Sequence, residues 1–256
     1  GVVIDGELVR AGSAGFADAE HARTIDADTV FRIASMTKSF TALAILMLRD
    51  EGKIDLDAPV SRYVPELASL APATRDSGPI TVRHLLTHTA GLPEDNPWGD
   101  RQLAISEDEL SRWLARGIPF STATGSAYEY SNYGFAILGR AIANASGMKY
   151  GDFVHQRIFA PLGMRSSFWD AKAVPPGRLA NAYRKEDGAF RVETPLADGA
   201  FGSMGGLFTS SRDLARWVAF MLAAYPPRDA PEQPPALRRS VRSGSGPQAL
   251  SMWRFL

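Results

Sequence analysis

The stretch Thr29 to Gly52, T-V-F-R-I-A-S-M-T-K-S-F-T-A-L-A-I-L-M-L-R-D-E-G, decides the fold: it reads as a short strand or loop, a turn, and then a long apolar helix. Phe40, Leu43, Ala44, Leu46, Met47 and Leu48 cover more than one side of a 3.6-residue period, which predicts a helix buried nearly all round. Arg49 and Lys53 bring positive charge to its C-terminal end, and Gly52 suits a left-handed cap. Ser35 is expected to open the helix. Lys38 follows three residues later, so the two side chains share a face at the N-terminal end, where unpaired amides and the helix dipole favour negative charge. A hydroxyl there ionises more readily. A lysine desolvated at the same positive end should have a lowered pKa and can act as general base on the serine.

Four letters are a weak pattern: with 21 serines and five lysines in 256 residues, chance supplies about 0.4 matches to S-x-x-K. A second match exists at Ser146 to Lys149. It follows the apolar run Phe135 to Ala145 and contains Gly147, where that helix should stop, so Ser146 falls at the electronegative end. Position therefore separates Ser35 from Ser146, with a plain capping serine as the competing reading of Ser35.

Composition narrows the function classes. A chain of 256 residues with 45% hydrophobic and 22% charged content can bury a real core, as one large domain or two interleaved ones. Basic and acidic residues number 28 each, so neither a nucleic acid nor an anionic membrane is an expected partner, and small neutral or zwitterionic substrates fit better. Absence of cysteine excludes thiol catalysis and disulfides but leaves the compartment open, cell envelope or cytoplasm. No uncharged apolar run reaches about 18 residues, so no membrane span is expected. The chain starts at Gly1 inside a strand-like run, and any targeting segment is expected to have been removed or never included.

In chain order, Val2 to Ile4, Asp5-Gly6 and Leu8 to Ala11 predict a hairpin, and Gly15 to Ala17 a third short strand. Asp55 to Leu70 should turn helical at Pro59, with a loop from Ala71 to Pro79. His84 and His88 are spaced i and i+4, but Leu85 stands where the metalloprotease pattern needs glutamate, so they read as backbone-bonded helix-end and turn residues and no metal is expected. Pro93 to Asp100 reads as loop, and Ser106 to Glu109 starts a helix. Tyr130, Ser131 and Asn132 precede the helix of Phe135 to Ala145. Beside an activated serine, that phenol and amide supply a proton relay and a substrate-orienting hydrogen bond. A helix follows over about Tyr150 to Phe159, then a loop-rich passage from Arg165 to Asp198. Gly199, Gly202, Gly205 and Gly206 suit a backbone passing close to something else, or a surface loop. Ser210 and Asp213 form a capping-box pattern before a helix whose Leu214, Trp217, Val218, Met221 and Leu222 look core-facing. Arg238, Arg239 and Arg242 read as a solvated helix face.

Together F-R-I-A-S-M-T-K-S-F-T, D-E-G-K-I-D-L-D-A-P-V-S-R-Y-V-P, H-L-L-T-H-T-A-G-L, Y-S-N-Y-G-F-A-I-L-G, P-L-G-M-R-S-S-F-W and G-G-L-F-T-S-S-R-D-L-A-R-W resemble the serine β-lactamase and penicillin-binding-protein superfamily. The likeness is to its class C-type branch, with family VIII carboxylesterases, D-aminopeptidases and DD-peptidases, and runs in order from Gly1 to about Leu222. It implies an α+β, β-lactamase/transpeptidase-like fold: an antiparallel sheet flanked by helices, with a mostly helical inserted region. The expected organisation is residues 1–52 for the first part of the α/β domain, 53–200 for the helical region and 201–256 for the return to the sheet. By the same resemblance Ser35 is the acylated nucleophile, Lys38 its base, Tyr130 the proton shuttle to the leaving group and Asn132 the residue that holds the substrate amide. The backbone N–H of Ser35 would be one oxyanion donor, and no cofactor is implied.

The C-terminal part departs from that pattern. Nothing matches a K-T-G, H-x-G or W-x-G motif, and Ala249 to Leu256 places Arg254 and Phe255 after Trp253. The sheet is therefore expected to lack its last strands in this chain, and the functional molecule to contain additional C-terminal polypeptide supplying the second oxyanion donor. Without that donor, acylation should lose about 3 kcal/mol of transition-state stabilisation. Two functions follow: a serine hydrolase acting through an acyl-enzyme on ester, peptide or β-lactam substrates, with esters and peptides favoured, or a silent protein that binds such ligands without turnover.

Overall fold

The computed structural model describes residues 1–96, 98–227, 231–232 and 234–245. The chain opens with the hairpin β1 (Val2–Ile4) and β2 (Glu7–Arg10), turning at Asp5 and Gly6, both in the left-handed region. The antiparallel pair β3 (Phe16–Asp18) and β4 (Arg23–Thr24) follows, and then β5 (Val30–Arg32) leads to the helix α1 (Thr37–Asp50). Every residue from Thr37 to Leu48 is buried, as the unbroken apolar run requires, and Gly52 takes the left-handed conformation just past the helix end. Helix α1 does not begin at Ser35. That residue lies in the 3₁₀ turn Ala34–Met36, because Ala34 has φ +46 and breaks the helical path one residue earlier.

The stretch around Pro59 forms two 3₁₀ turns, Val60–Arg62 and Pro65–Leu67, rather than the expected helix. Short helices α2 (Val82–Leu86) and α3 (Trp98–Arg101) come next, the latter within what reads as loop, followed by α4 (Glu107–Ala115) and α5 (Asn132–Ser146). Ser106 and Ser131 cap α4 and α5 by accepting from the amides of Glu109 and Gly134. Helix α6 (Tyr150–Val154) runs through a π-helical turn, His155–Phe159, into α7 (Ala160–Leu162). The Arg165 to Asp198 passage is more ordered than its composition suggests: it holds β6 (Ser167–Phe168) and a hairpin of β7 (Ala182–Glu186) and β8 (Ala189–Glu193) about Asp187-Gly188. The glycine-rich turn forms α8 (Gly202–Gly205), then β9 (Phe208–Ser210), α9 (Ser211–Leu222) and α10 (Arg238–Ser245).

Strands β5, β9 and β6 make a three-stranded antiparallel sheet in that order, Val30 opposite Ser210 and Ser167 opposite Thr209. The return of the chain to β5 after residue 200 is therefore the pairing that closes the domain. Around the buried α1 pack α5, α6, α8 and α10. Phe40 stacks on Trp217 with ring centroids 4.0 Å apart and meets Phe159 edge-on, all three fully or almost fully buried. Phe40→Ala is expected to cost about 3–5 kcal/mol of stability, since the rings of Trp217 and Phe159 would be left facing the cavity. A loss below about 1 kcal/mol in urea unfolding would show that this cluster does not anchor α1.

Two surface expectations are corrected. On α9 the buried positions are Asp213, Ala215, Trp217 and Met221, while Val218 and Leu222 are exposed at 36% and 55%; the helix packs inward through one face, and its other apolar stripe is only partly covered by the β1–β2 hairpin. Asp213 does not complete a capping box. Ser210 Oγ accepts from its amide, but its carboxylate accepts from Ser166 N and Ser167 Oγ and ties α9 to β6. Of the three arginines read as solvated, only Arg239 is exposed. Arg238 is buried against Glu232 and the Pro231 carbonyl, and Arg242 donates to the Ala224 carbonyl. The Ala249 to Leu256 tail lies outside the described residues.

Candidate active site

Three segments remote in sequence bring Ser35, Lys38, Tyr130 and Asn132 together. The 3₁₀ turn is pinned from both sides: Thr37 Oγ1 donates to the Ala34 carbonyl at 2.7 Å and accepts from Leu207 N, while Ile33 N donates to the Leu207 carbonyl. A non-glycine residue at φ +46 is held only where surroundings over-determine it. Here it presents the Ser35 hydroxyl at the mouth of α1.

Ser35 Oγ lies 2.7 Å from Tyr130 OH and 3.2 Å from Lys38 Nζ. Lys38 Nζ also donates to Asn132 Oδ1 and to the Met204 carbonyl, both at 2.7 Å. Those two oxygens can only accept. In a neutral amine they take its two hydrogens, which leaves the lone pair aimed at the third neighbour, the Ser35 hydroxyl. Burial supplies the neutral form: Lys38 is only 4% exposed, and desolvation pulls its pKa down to about 7, against the opposing charges of Asp95 and Asp100 and with help from Arg32. Tyr130 moves the other way. Burial, opposed by the bond to Ser35, pushes its phenol up to about 12, so it carries its proton at neutral pH. Its ring and that of Phe135 lie under the Lys38 nitrogen, 4.8 and 5.5 Å from the centroids.

Asn132 is the first residue of α5 and is fixed at both ends of its amide, Oδ1 by Lys38 and Nδ2 by a 2.6 Å bond to Asn96 Oδ1. Gly99 lets α3 approach: a Cβ there would fall 2.6 Å from the Asn132 Cβ. The two spaced histidines do not share a helix face, because α2 ends at Leu86. His84 caps its own helix through Thr81. His88, at φ +55, accepts from Ser131 N through Nδ1 and backs the Tyr130 ring at 4.7 Å. Burial, then the Lys38 charge, holds its pKa down at about 3, so it remains a neutral acceptor.

Several contributors carry no side-chain motif. Successive carbonyls of the glycine-rich turn accept from three different residues, Ser203 O from Thr41, Met204 O from Lys38 and Gly205 O from Arg32. The signal for this was the glycine cluster: a Cβ on Gly199 would lie 2.6 Å from the Ala104 backbone, and the close approach that it permits seats the whole turn. Asp95, Asn96 and the Arg32–Asp100 pair had no such signal. Beside Asn132, residues Leu92, Pro93, Trp98, Trp113, Pro119 and Tyr133 line a largely apolar cavity of about 440 Å³. Ser146 stands at the far end of α5, its hydroxyl occupied by local backbone carbonyls.

The Beta-lactamase family model matches residues 1–252. D-alanyl-D-alanine-carboxypeptidase/endopeptidase AmpH of Escherichia coli (strain K12) is 35% identical over 200 residues, covering 77% of this chain and 50% of that protein. Esterase EstB of Burkholderia gladioli is 36% identical over 218 residues, covering 76% and 53%. Among solved structures, the octameric penicillin-binding protein homologue from Pyrococcus abyssi superposes with a TM-score of 0.76 at 26% identity, over 94% of this chain and 54% of that one. The chain spans about half the length of these relatives.

Proposed function

This chain belongs to the Beta-lactamase family, and on that premise we propose that it is the nucleophile-bearing part of a serine hydrolase that forms an acyl-enzyme with small ester or amide substrates. One observation carries the reading: Lys38 Nζ is held by two obligate acceptors so that its remaining valence faces Ser35 Oγ. In the proposed step Ser35 Oγ bonds to the substrate carbonyl carbon as Lys38 takes the hydroxyl proton. The bond to the leaving group then breaks, Tyr130 gives that group a proton, and the proton that Lys38 took from Ser35 passes to the phenolate and restores Tyr130. Water adds to the acyl carbon in the second half, and the serine leaves with a proton returned by the same pair. Asn132 is assigned to the substrate amide or ester oxygen, and the Ser35 N–H to the developing oxyanion.

Ester or D-peptide chemistry is favoured over destruction of β-lactams. The relatives named as a carboxypeptidase and an esterase support that choice, and the cavity beside Asn132, mostly apolar but with Glu94, Asp95 and Arg116 in its lining, offers room for an acyl or leaving group. Parallel assays on p-nitrophenyl acetate, a D-alanyl-D-alanine peptide and nitrocefin test it. The expected pattern is turnover of the first two with nitrocefin slow. The expected pH profile of kcat/KM rises through about 7 as Lys38 loses its proton and stays level past pH 9, because Tyr130 keeps its own. Stoichiometric acylation without release would instead make the protein a binder of such ligands. A rate independent of pH from 5 to 9 would place the base elsewhere.

A further inference from the structure

The loop between α2 and α3 contributes a carboxylate that no step above uses. Asp95 accepts from three donors at the start of α5: Asn132 N at 2.8 Å, Tyr133 N at 2.7 Å and Ser131 Oγ at 3.3 Å. Helix α5 is thus capped twice, once by its own Ser131 and once by a residue 37 positions upstream. A single serine cap satisfies one orphan amide. Asp95 gathers two more, and Asn96 beside it fixes the Asn132 side chain with the amide oxygen toward Lys38. Carboxylate, amide, amine and hydroxyl therefore form one connected path, Asp95 to Asn132 to Lys38 to Ser35.

From this juxtaposition we infer that Asp95 is a positioning residue: its two oxygens hold the turn that aims Asn132 at Lys38, and its carboxylate places a negative charge at the head of that path. The inference rests on the acyl-enzyme reading. The groups facing Lys38 are few. Ser35, Tyr130, Asn132 and neutral His88 carry no charge at working pH, leaving Asp95, Asp100 and Arg32. Asp100 is paired with Arg32 at 2.9 Å, so much of its field is cancelled. Among the described residues no ion pair involves Asp95, and the donors that its carboxylate accepts from are two backbone amides and a hydroxyl. Asp95 is the larger of the two charges that oppose the desolvation of Lys38.

The two duties can be separated by substitution. Asp95→Asn keeps an acceptor oxygen for Asn132 N and removes the charge; Asp95→Ala removes both. With ¹³C-labelled lysine the chain has only five side chains to follow by NMR, and Lys38→Arg assigns the one of interest. Asp95→Asn is expected to lower the Lys38 midpoint by roughly half a unit or more, with the acid limb of the acylation profile moving down equally. Asp95→Ala is expected to add a loss of about 10–100-fold in acylation at every pH, because Asn132 and Lys38 drift from their aim. An unmoved Lys38 midpoint in folded Asp95→Asn would overturn the electrostatic role. If that variant does not fold, Asp95→Glu decides: a retained midpoint with about tenfold slower acylation supports the inference, and a wild-type rate overturns it. Should the unmodified protein acylate at no serine, the hydrolase reading fails, yet the Lys38 titration still tests Asp95.

Discussion

Ser35→Ala is expected to lower ester turnover by at least about a thousandfold and to abolish covalent labelling by a fluorophosphonate. The size follows from the geometry. Ser35 Oγ is the atom that both Lys38 Nζ and Tyr130 OH address, so its removal takes away the proposed nucleophile and leaves the two groups proposed to carry protons without a common partner. Residues that act as such a unit lose nearly everything when one is deleted. Mass spectrometry of the labelled peptide identifies the serine. Ser146 is the internal control: it shares the S-x-x-K spelling, but it precedes the left-handed Gly147 at the C-terminal end of α5, where carbonyls and the dipole oppose an alkoxide, and Lys149 has moved on to the start of α6. Label on Ser146, or none on intact folded protein, would sink the assignment of the nucleophile.

Lys38→Arg should be almost as damaging. A guanidinium keeps its proton at any pH that the protein tolerates, so it cannot take one from Ser35. It would still offer donors to Asn132 Oδ1 and the Met204 carbonyl, which makes the substitution a test of proton transfer more than of charge. A fall of about a thousandfold in acylation is expected, with circular dichroism and urea unfolding establishing that the buried, larger side chain is accommodated. Retention of more than about a tenth of the rate would reduce the lysine to an electrostatic anchor. The two variants also differ in a readable way. Ser35→Ala should leave the Lys38 titration visible near its wild-type midpoint, whereas Lys38→Arg should remove the acid limb altogether.

Several features of the fold were legible locally. The D-G turn of the first hairpin, the serine caps of α4, α5 and α9, and the glycine stop of α5 are each set by interactions within a few residues. The same kind of signal stands at Asp187-Gly188, between Tyr183 on one side and Phe190 and Val192 on the other, where the loop-like composition around it masks the hairpin. Pro59 misled in the opposite direction: proline suits a first helical turn, but the residues after it are pulled into two 3₁₀ turns, and Val60 N bonds to the Ile80 carbonyl. The α9 stripe differs from expectation because periodicity gives a face without saying which neighbour covers it. Half of that face meets the core, and the other half meets a two-stranded hairpin too narrow to hide Leu222.

By itself the sequence determined that a serine and a lysine three residues apart stand at the start of a buried helix, and that a tyrosine and an asparagine stand at the start of a second one, because spacing, capping and hydrophobic run length are short-range properties. Only the tertiary structure decided what those four residues do to one another. The acceptors that turn the Lys38 lone pair toward Ser35 are an amide 94 residues away and a main-chain carbonyl 166 residues away, and a carbonyl belongs to every residue, so no pattern of side chains marks it. The proton affinity of Lys38 is likewise collective. It is set by the burial of the amine among α1, the start of α5 and the glycine-rich turn and by the balance of Asp95, Asp100 and Arg32, none of which exists until the chain has closed on itself.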